Sequence, residues 1–226
     1  MRVHVAFIPD EAAAAPTGIV IDVLRATSTI AQALAAGYRR VYCCSELEEA
    51  RALRDELGEG LLGGERDARR IDGFDVGASP REFLEPLAET LILSTTNGTK
   101  AILAAAERCE EVVLGSLLNL GAVAAHARER AGDTAILCSG FKGAFALDDA
   151  YCAGRIVRLL DAERSDAALA ADLVAGSFPT ALDGLNARTY GPPGLEDDIR
   201  FCAQEDRLDV VPRLGGRHGA AVEIRL

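Results

Sequence analysis

Asp22, Arg25, Thr27, Ser28 and Thr29 crowd into eight positions directly after the apolar run Ile19-Val20-Ile21. A carboxylate inside an apolar strand is costly unless it is paired or ligated. Asp22 is therefore the first candidate for a catalytic or metal-holding acid. Arg25 offers a planar fork that can grip a carboxylate, sulfonate or phosphate with two hydrogen bonds. The hydroxyls of Thr27, Ser28 and Thr29 open the following helix and are expected to line the same pocket. Glu65, Asp148 and Asp149 also fall at strand ends or helix starts. Several carboxylates on one side of a sheet suit a hard cation, because Mg²⁺ takes one or two carboxylates together with waters and substrate phosphate. Each acid also has an ordinary reading: a solvated loop for Glu65, a first-turn complement to the helix dipole for Asp148 and Asp149. Glu196-Asp197-Asp198 reads the same way, as dipole complement with a solvated face.

A second polar turn, Thr95-Thr96-Asn97-Gly98-Thr99, precedes another helix. Free N–H groups at a helix start favour an anion, and Gly98 lets backbone approach closely. The basic candidates are Arg25, Arg66, Arg69, Arg70, Lys100 and Lys142. Lys100 and Lys142 are the only lysines among 24 lysine and arginine residues. Both stand beside glycines at strand-to-helix turns, where lysine serves as a point charge for phosphate.

Positioning these groups takes a regular scaffold. Strands are predicted over 2–8, 19–23, 40–44, 91–93, 112–114 and 134–138. Helices are predicted from 27 or 28 to Gly37, from 45 to 57, from 100 to 107, from 119 to 132, and from the Asp148-Asp149 turn onward. Ser45-x-x-Glu48 reads as a capping box, and Ser79-Pro80-x-Glu82 as the start of a short helix. The stretch 61–80 is expected to be a long, ordered, functional loop. Beyond residue 161, short helices are predicted over 165–175, 178–185 and from 195, with a Gly-Pro-Pro-Gly break at 191–194. An extended segment starts at 210, and an alternating edge strand spans 220–226. The pattern implies an α/β fold: a mostly parallel sheet with flanking helices in repeated strand–loop–helix units, and a C-terminal edge strand. A single domain over 1–226 is expected, with two α/β lobes enclosing the site as the other arrangement. Ligands then bind outside the carboxyl ends of the strands.

Composition narrows the partners. The formal net charge is −11 and hydrophobic residues make up 49%. An acidic globular chain argues against nucleic acid and against an anionic membrane, and for a small anionic substrate held locally; a homo-oligomer is left open. Residue 1 leads directly into a strand pattern, so no signal peptide is expected. The six cysteines form no Cys-x-x-Cys pair and read as small buried hydrophobes in a reducing cytoplasm. His4, His126 and His218 avoid the candidate loops, so a zinc site or a histidine relay is poorly supported. There is no Walker loop, dinucleotide fingerprint or nucleophile elbow. Leu24 stands where a haloacid-dehalogenase-type phosphatase has its second aspartate, which sets that class aside.

Taken together, Ile21-Asp-Val-Leu-Arg-Ala-Thr-Ser-Thr-Ile30, Gly64-Glu-Arg66, Gly73-Phe-Asp-Val-Gly-Ala-Ser-Pro80, Ser94-Thr-Thr-Asn-Gly-Thr-Lys100, Gly115-Ser-Leu-Leu-Asn119, Leu147-Asp-Asp149 with Cys152-Ala-Gly154, and Asp197-Asp198-Ile199 closely resemble the 2-phosphosulfolactate phosphatase family of the coenzyme M pathway. The chain departs from it at Asp148, where glutamate is commoner, and at Ala78, where asparagine is commoner. The resemblance implies Mg²⁺-dependent hydrolysis of a phosphate ester of a 2-hydroxy acid such as (2R)-2-phospho-3-sulfolactate. On that basis Asp22, Glu65, Asp148 and Asp149 are the candidate metal set, and Asp22, Arg25 and Asp149 the catalytic set. Thr27, Ser28, Thr29, Arg66, Thr95, Thr96, Asn97, Gly98, Thr99, Lys100, Asn119 and Lys142 are the candidate substrate-binding set. The competing reading is a non-catalytic sensor for a sulfonated or phosphorylated hydroxy acid, which would need the basic and hydroxyl loops but not the acids.

Overall fold

The chain opens with β1 (Arg2–Ala6), β2 (Ala15–Ile21), α1 (Ala26–Ala36), β3 (Arg40–Cys44) and α2 (Leu47–Leu57) in a computed structural model that describes residues 1–189 and 193–226. Then come β4 (Leu61–Arg66), β5 (Arg69–Arg70), β6 (Thr90–Ser94), α3 (Gly98–Arg108), β7 (Cys109–Gly115), α4 (Leu120–Glu129), β8 (Thr134–Cys138) and α5 (Leu147–Leu159). The chain closes with β9 (Glu163–Arg164), α6 (Asp166–Gly176), α7 (Ala181–Asn186), α8 (Glu196–Cys202), β10 (Arg213–His218) and β11 (Ala221–Arg225). Of the Gly-Pro-Pro-Gly break, Gly191 and Pro192 lie outside the described residues.

The described strands form one open sheet in the order β5-β4-β6-β3-β11-β10-β7-β2-β8-β1-β9. β4, β6 and β3 pair in parallel, as do β7, β2, β8, β1 and β9. Parallel strands covered on both faces read as continuous apolar runs, and Ile19, Val20 and Ile21 at the end of β2 are fully buried. The hairpin β10–β11 joins the two parallel groups, antiparallel at each contact. Those three reversals make the two groups run oppositely along the sheet. One core contains Val20, Leu114 and Leu137 from one group, Leu91, Leu93 and Val41 from the other, and Ile30 and Ile102 from α1 and α3. The sheet therefore curls around α1 and α3, and Asp22 after β2 in one group and Thr95 after β6 in the other line one cavity.

Three expectations need correction. The C-terminal strand lies inside the sheet, between β3 and β10, and not at its edge. Its alternation arises because Val222 and Ile224 face the core while Arg225 is exposed; alternation marks a one-sided face, which an interior antiparallel strand also has. The α2 capping box forms one residue later than predicted. Glu46 and Glu49 make it, while the Ser45 carbonyl accepts from Arg66 instead. The stretch 61–80 is ordered but not all loop, since it contains β4 and β5. The Ser79 cap with Pro80 and Glu82 opens a 3-10 turn, Pro80–Phe83. Among the described residues, no helix is long and apolar enough to cross a membrane.

Candidate active site

β2 ends at Ile21, and the next residue, Asp22, is buried at the mouth of α1. Its Oδ1 accepts from the Ala26 N–H at 3.1 Å. The Thr27 hydroxyl accepts from the Asp22 N–H at 3.1 Å and donates to the Asp22 carbonyl at 2.9 Å. Asp22 thus caps α1 while Oδ2 takes no hydrogen bond from any described residue. The peptide between Leu24 and Arg25 is cis.

Across from Asp22 stands the start of α3. No side chain caps this helix, and the Asn97 Oδ1 accepts instead from the Lys142 N–H at 3.3 Å. Its first N–H groups therefore keep their capacity for an anion. Gly98 is needed for this approach: a Cβ there would lie 2.5 Å from the Ala26 Cβ and 3.0 Å from Asp22 Oδ2. The buried Thr95 hydroxyl, 3.2 Å from that same point, has no partner among the described residues.

One cavity is lined by Asp22, Arg25, Glu65, Thr95, Asp148 and Lys142, among others. They arrive from the ends of β2, β4, β6 and β8 and the start of α5. Burial raises the Asp22 carboxyl to about 7, reinforced by the nearby charges of Glu65 and Asp148. Among the described residues, no three histidine, cysteine, aspartate or glutamate side chains are drawn together closely enough to form a ready metal cage. The acids nonetheless fit a hard cation that keeps its waters. Four carboxylates line one cavity, of which Asp67 is paired with Lys142; Asp22 retains an open oxygen, and its burial and repulsion are what a divalent cation would relieve.

Other candidate residues have structural partners. Both oxygens of Asp149 are engaged, Oδ1 by the Val23 N–H at 2.9 Å and Oδ2 by the Gly140 N–H at 3.1 Å. Asp149 does not line the cavity; it clasps the loops after β2 and β8 from behind. Its carboxyl is raised well above the ordinary range, first by burial and then by Asp148. Glu65 lines the cavity and ties two walls together. Oε1 accepts from the Thr96 N–H and hydroxyl at 2.9 and 2.8 Å, and Oε2 from the Ala68 N–H at 2.7 Å.

Ser28, Thr29 and Thr99 give their hydroxyls to the carbonyls of Val23, Ala78 and Cys44. With Thr27 they are buried behind the wall and are not brought to the cavity. Asn119 is also absent from the lining; its amide donates to the carbonyls of Leu114 and Val210. Arg66 donates to Glu65 O, Ser45 O and Ser94 Oγ. Arg66 and Lys100 line a neighbouring cleft of about 810 Å³ that shares Asp67, Thr96, Asn97 and Lys142 with the first. Lys142 also bridges to Asp67, Nζ to Oδ1 at 2.8 Å.

Sequence reading missed Asp67, Arg188 and Asp198. Asp67 and Arg188 line the cavity. Asp198 binds Arg25, so it is not the solvated helix-start acid expected from its neighbours. No local spacing announces any of the three, because each reaches the site through tertiary packing; only the Asp197-Asp198-Ile199 match flagged the last.

The 2-phosphosulpholactate phosphatase family model matches residues 4–216. A protein of Thermus thermophilus is 41% identical over 234 residues, covering 98% of both chains. A Caldanaerobacter subterraneus protein is 39% identical, covering 87% of this chain and 86% of its own. One from Carboxydothermus hydrogenoformans is 37% identical, covering 94% and 92%. All three are named probable 2-phosphosulfolactate phosphatase.

Proposed function

The chain belongs to the 2-phosphosulpholactate phosphatase family, and from that premise we propose that it hydrolyses (2R)-2-phospho-3-sulfolactate to 3-sulfolactate and phosphate, with Mg²⁺, in the cavity beside Asp22. The observation that carries this reading is the meeting of Asp22, Glu65 and Asp148 with the uncapped start of α3 around one cavity. A plain anion receptor would gain nothing from Asp22, Glu65 and Asp148, which repel its ligand unless a cation intervenes.

Asp22 and Asp148 would hold the cation, with Glu65 beside them. When bound, it would supply Lewis-acid polarisation of a phosphoryl oxygen and neutralise charge between the acids and the substrate. The chain's own groups do the rest. N–H groups at the start of α3 and the Thr95 hydroxyl face the phosphoryl oxygens, on which charge rests in the transition state. Arg25 and Lys142 give positive charge to the remaining anionic groups of the substrate. Asp149 acts from behind, holding the Val23 and Gly140 backbone in place. Water adds to phosphorus, the ester P–O bond breaks, and the hydroxy acid leaves with a proton. We place the reaction in a reducing cytoplasm, in keeping with six cysteines that form no disulfide.

The test is phosphate release from a panel of 2-phospho-hydroxy acids, with Mg²⁺ and with chelator. Release from the sulfonated ester that requires Mg²⁺ is the expected result. A melting temperature that rises with ligand while no ester releases phosphate would identify a sensor instead.

A further inference from the structure

Arg25 lines the cavity, and its guanidinium is fixed by one residue behind the lining, Asp198, and by one on it, Ala68. Nη1 donates to Asp198 Oδ2 at 2.6 Å, and Nη2 to the Ala68 carbonyl at 3.1 Å. The other Asp198 oxygen accepts from the Ser79 hydroxyl at 2.5 Å. The Arg25 and Asp198 side chains are only 8% and 7% exposed. Four segments distant in sequence therefore meet: the turn after β2, the β4–β5 turn, the 3-10 turn after Ser79, and the first turn of α8.

We propose that Asp198, itself held by Ser79, is a positioning residue that fixes the Arg25 fork towards the anionic substrate. The proposal rests on the phosphatase reading above. Asp198 does not line the cavity; the lining side chain that it binds is Arg25, while Arg81 Nη1 stands 3.9 Å from its other oxygen. An arginine side chain is long and loses much rotamer freedom when it binds an anion. Asp198 and the Ala68 carbonyl hold two corners of the fork before substrate arrives, so that loss is already met and binding is stronger for it. The three other guanidinium N–H donors are left for the substrate. A buried guanidinium also needs a countercharge when the cavity is empty. Asp198 supplies it without occupying the space of the ligand.

The test uses the full-length protein with Mg²⁺, comparing Asp198→Asn, Ser79→Ala, Arg25→Ala and the Arg25→Ala/Asp198→Asn double variant. Asp198→Asn keeps the shape and removes the charge. It is expected to lower kcat/KM by roughly 10–100-fold, the usual effect of removing a group that orients a ligand-binding one. KM for the ester and the inhibition constant of inorganic phosphate should rise together. In the Arg25→Ala background the same change should add less than about 3-fold, because two residues that act as one unit are not additive. Ser79→Ala should shift the same constants in the same direction by a smaller factor, together with a small fall in melting temperature from the lost 3-10 cap. Independent, multiplying losses from Arg25→Ala and Asp198→Asn would overturn the proposal. So would an Asp198→Asn or Ser79→Ala variant whose melting temperature falls while its kinetic constants stay at the wild-type values. If Asp198→Asn does not fold, Ser79→Ala decides by the same criterion. Should the wild type release phosphate from no ester, the phosphatase reading fails separately. Inorganic phosphate binding, read by thermal shift in the same variants, then tests whether Asp198 still acts through Arg25.

Discussion

At the scale of single residues, Asp22 and Asp149 look alike in sequence and differ in structure. Asp22 has one oxygen capping α1 and one open to the cavity. Asp149 has both oxygens accepting backbone N–H groups. Asp22→Asn is therefore expected to lower kcat by at least about 10³-fold, a loss of some 4 kcal/mol in transition-state binding. Its circular dichroism should stay native, since an asparagine oxygen can still accept from Ala26. Asp149→Asn should behave differently. Its amide nitrogen must face one of two N–H donors, leaving a buried donor unsatisfied at a cost of about 1–3 kcal/mol. Denaturant unfolding should register that loss along with any loss of turnover. The acid at the strand end was legible because burial makes a carboxylate conspicuous among Ile19, Val20 and Ile21. What sequence could not convey is which oxygens the backbone already claims. For the same reason Thr27, Ser28, Thr29 and Thr99 look like ligands in a motif but serve as internal caps and ties.

At the scale of elements, helix starts and helix crossings carry the constraints. The approach of α3 to Asp22 requires a residue without a Cβ at position 98. Gly98→Ala should push α3 away from α1 and cost about 1–3 kcal/mol in overpacking strain. It should also raise KM more than a distant substitution of equal destabilisation, which steady-state kinetics alongside unfolding curves can separate. A second close crossing lies between α5 and α6, where a Cβ on Gly154 would run into the Ala171 carbonyl. Gly154→Ala should lower stability by a similar amount with a smaller effect on KM, because that crossing lies away from the cavity lining. Most elements were readable from apolar runs, capping residues and glycine stops. The α1 stop at Gly37 and the strands β3 and β8 fall at the predicted positions. β5 and β9 were not readable, because a two-residue strand has no periodicity to detect.

For the whole molecule, the curled sheet explains how a chain with net charge −11 gathers an anion site. Carboxyl ends of oppositely running strand groups converge, and α1 and α3 present their starts to one cavity. The same packing buries most thiols. Burial pushes Cys43 upward beyond the usual thiol range, raises Cys44 and Cys202 to about 12, and raises Cys138 and Cys152 as well. Only Cys109 is partly exposed. Since the thiolate is the reactive form, a disulfide reagent at neutral pH should modify at most one thiol of the native protein and six after unfolding. The parallel α/β plan could be read from the alternation of strands and helices. The place of β11 could not, because strand order across the sheet depends on long-range pairing that a local pattern does not encode. The most direct test of the account is phosphate release from 2-phospho-3-sulfolactate by wild type and Asp22→Asn, each with Mg²⁺ and with chelator. The account predicts release by the wild type with Mg²⁺ and a rate at least about 10³-fold lower for folded Asp22→Asn. Turnover by Asp22→Asn near the wild-type rate would contradict it.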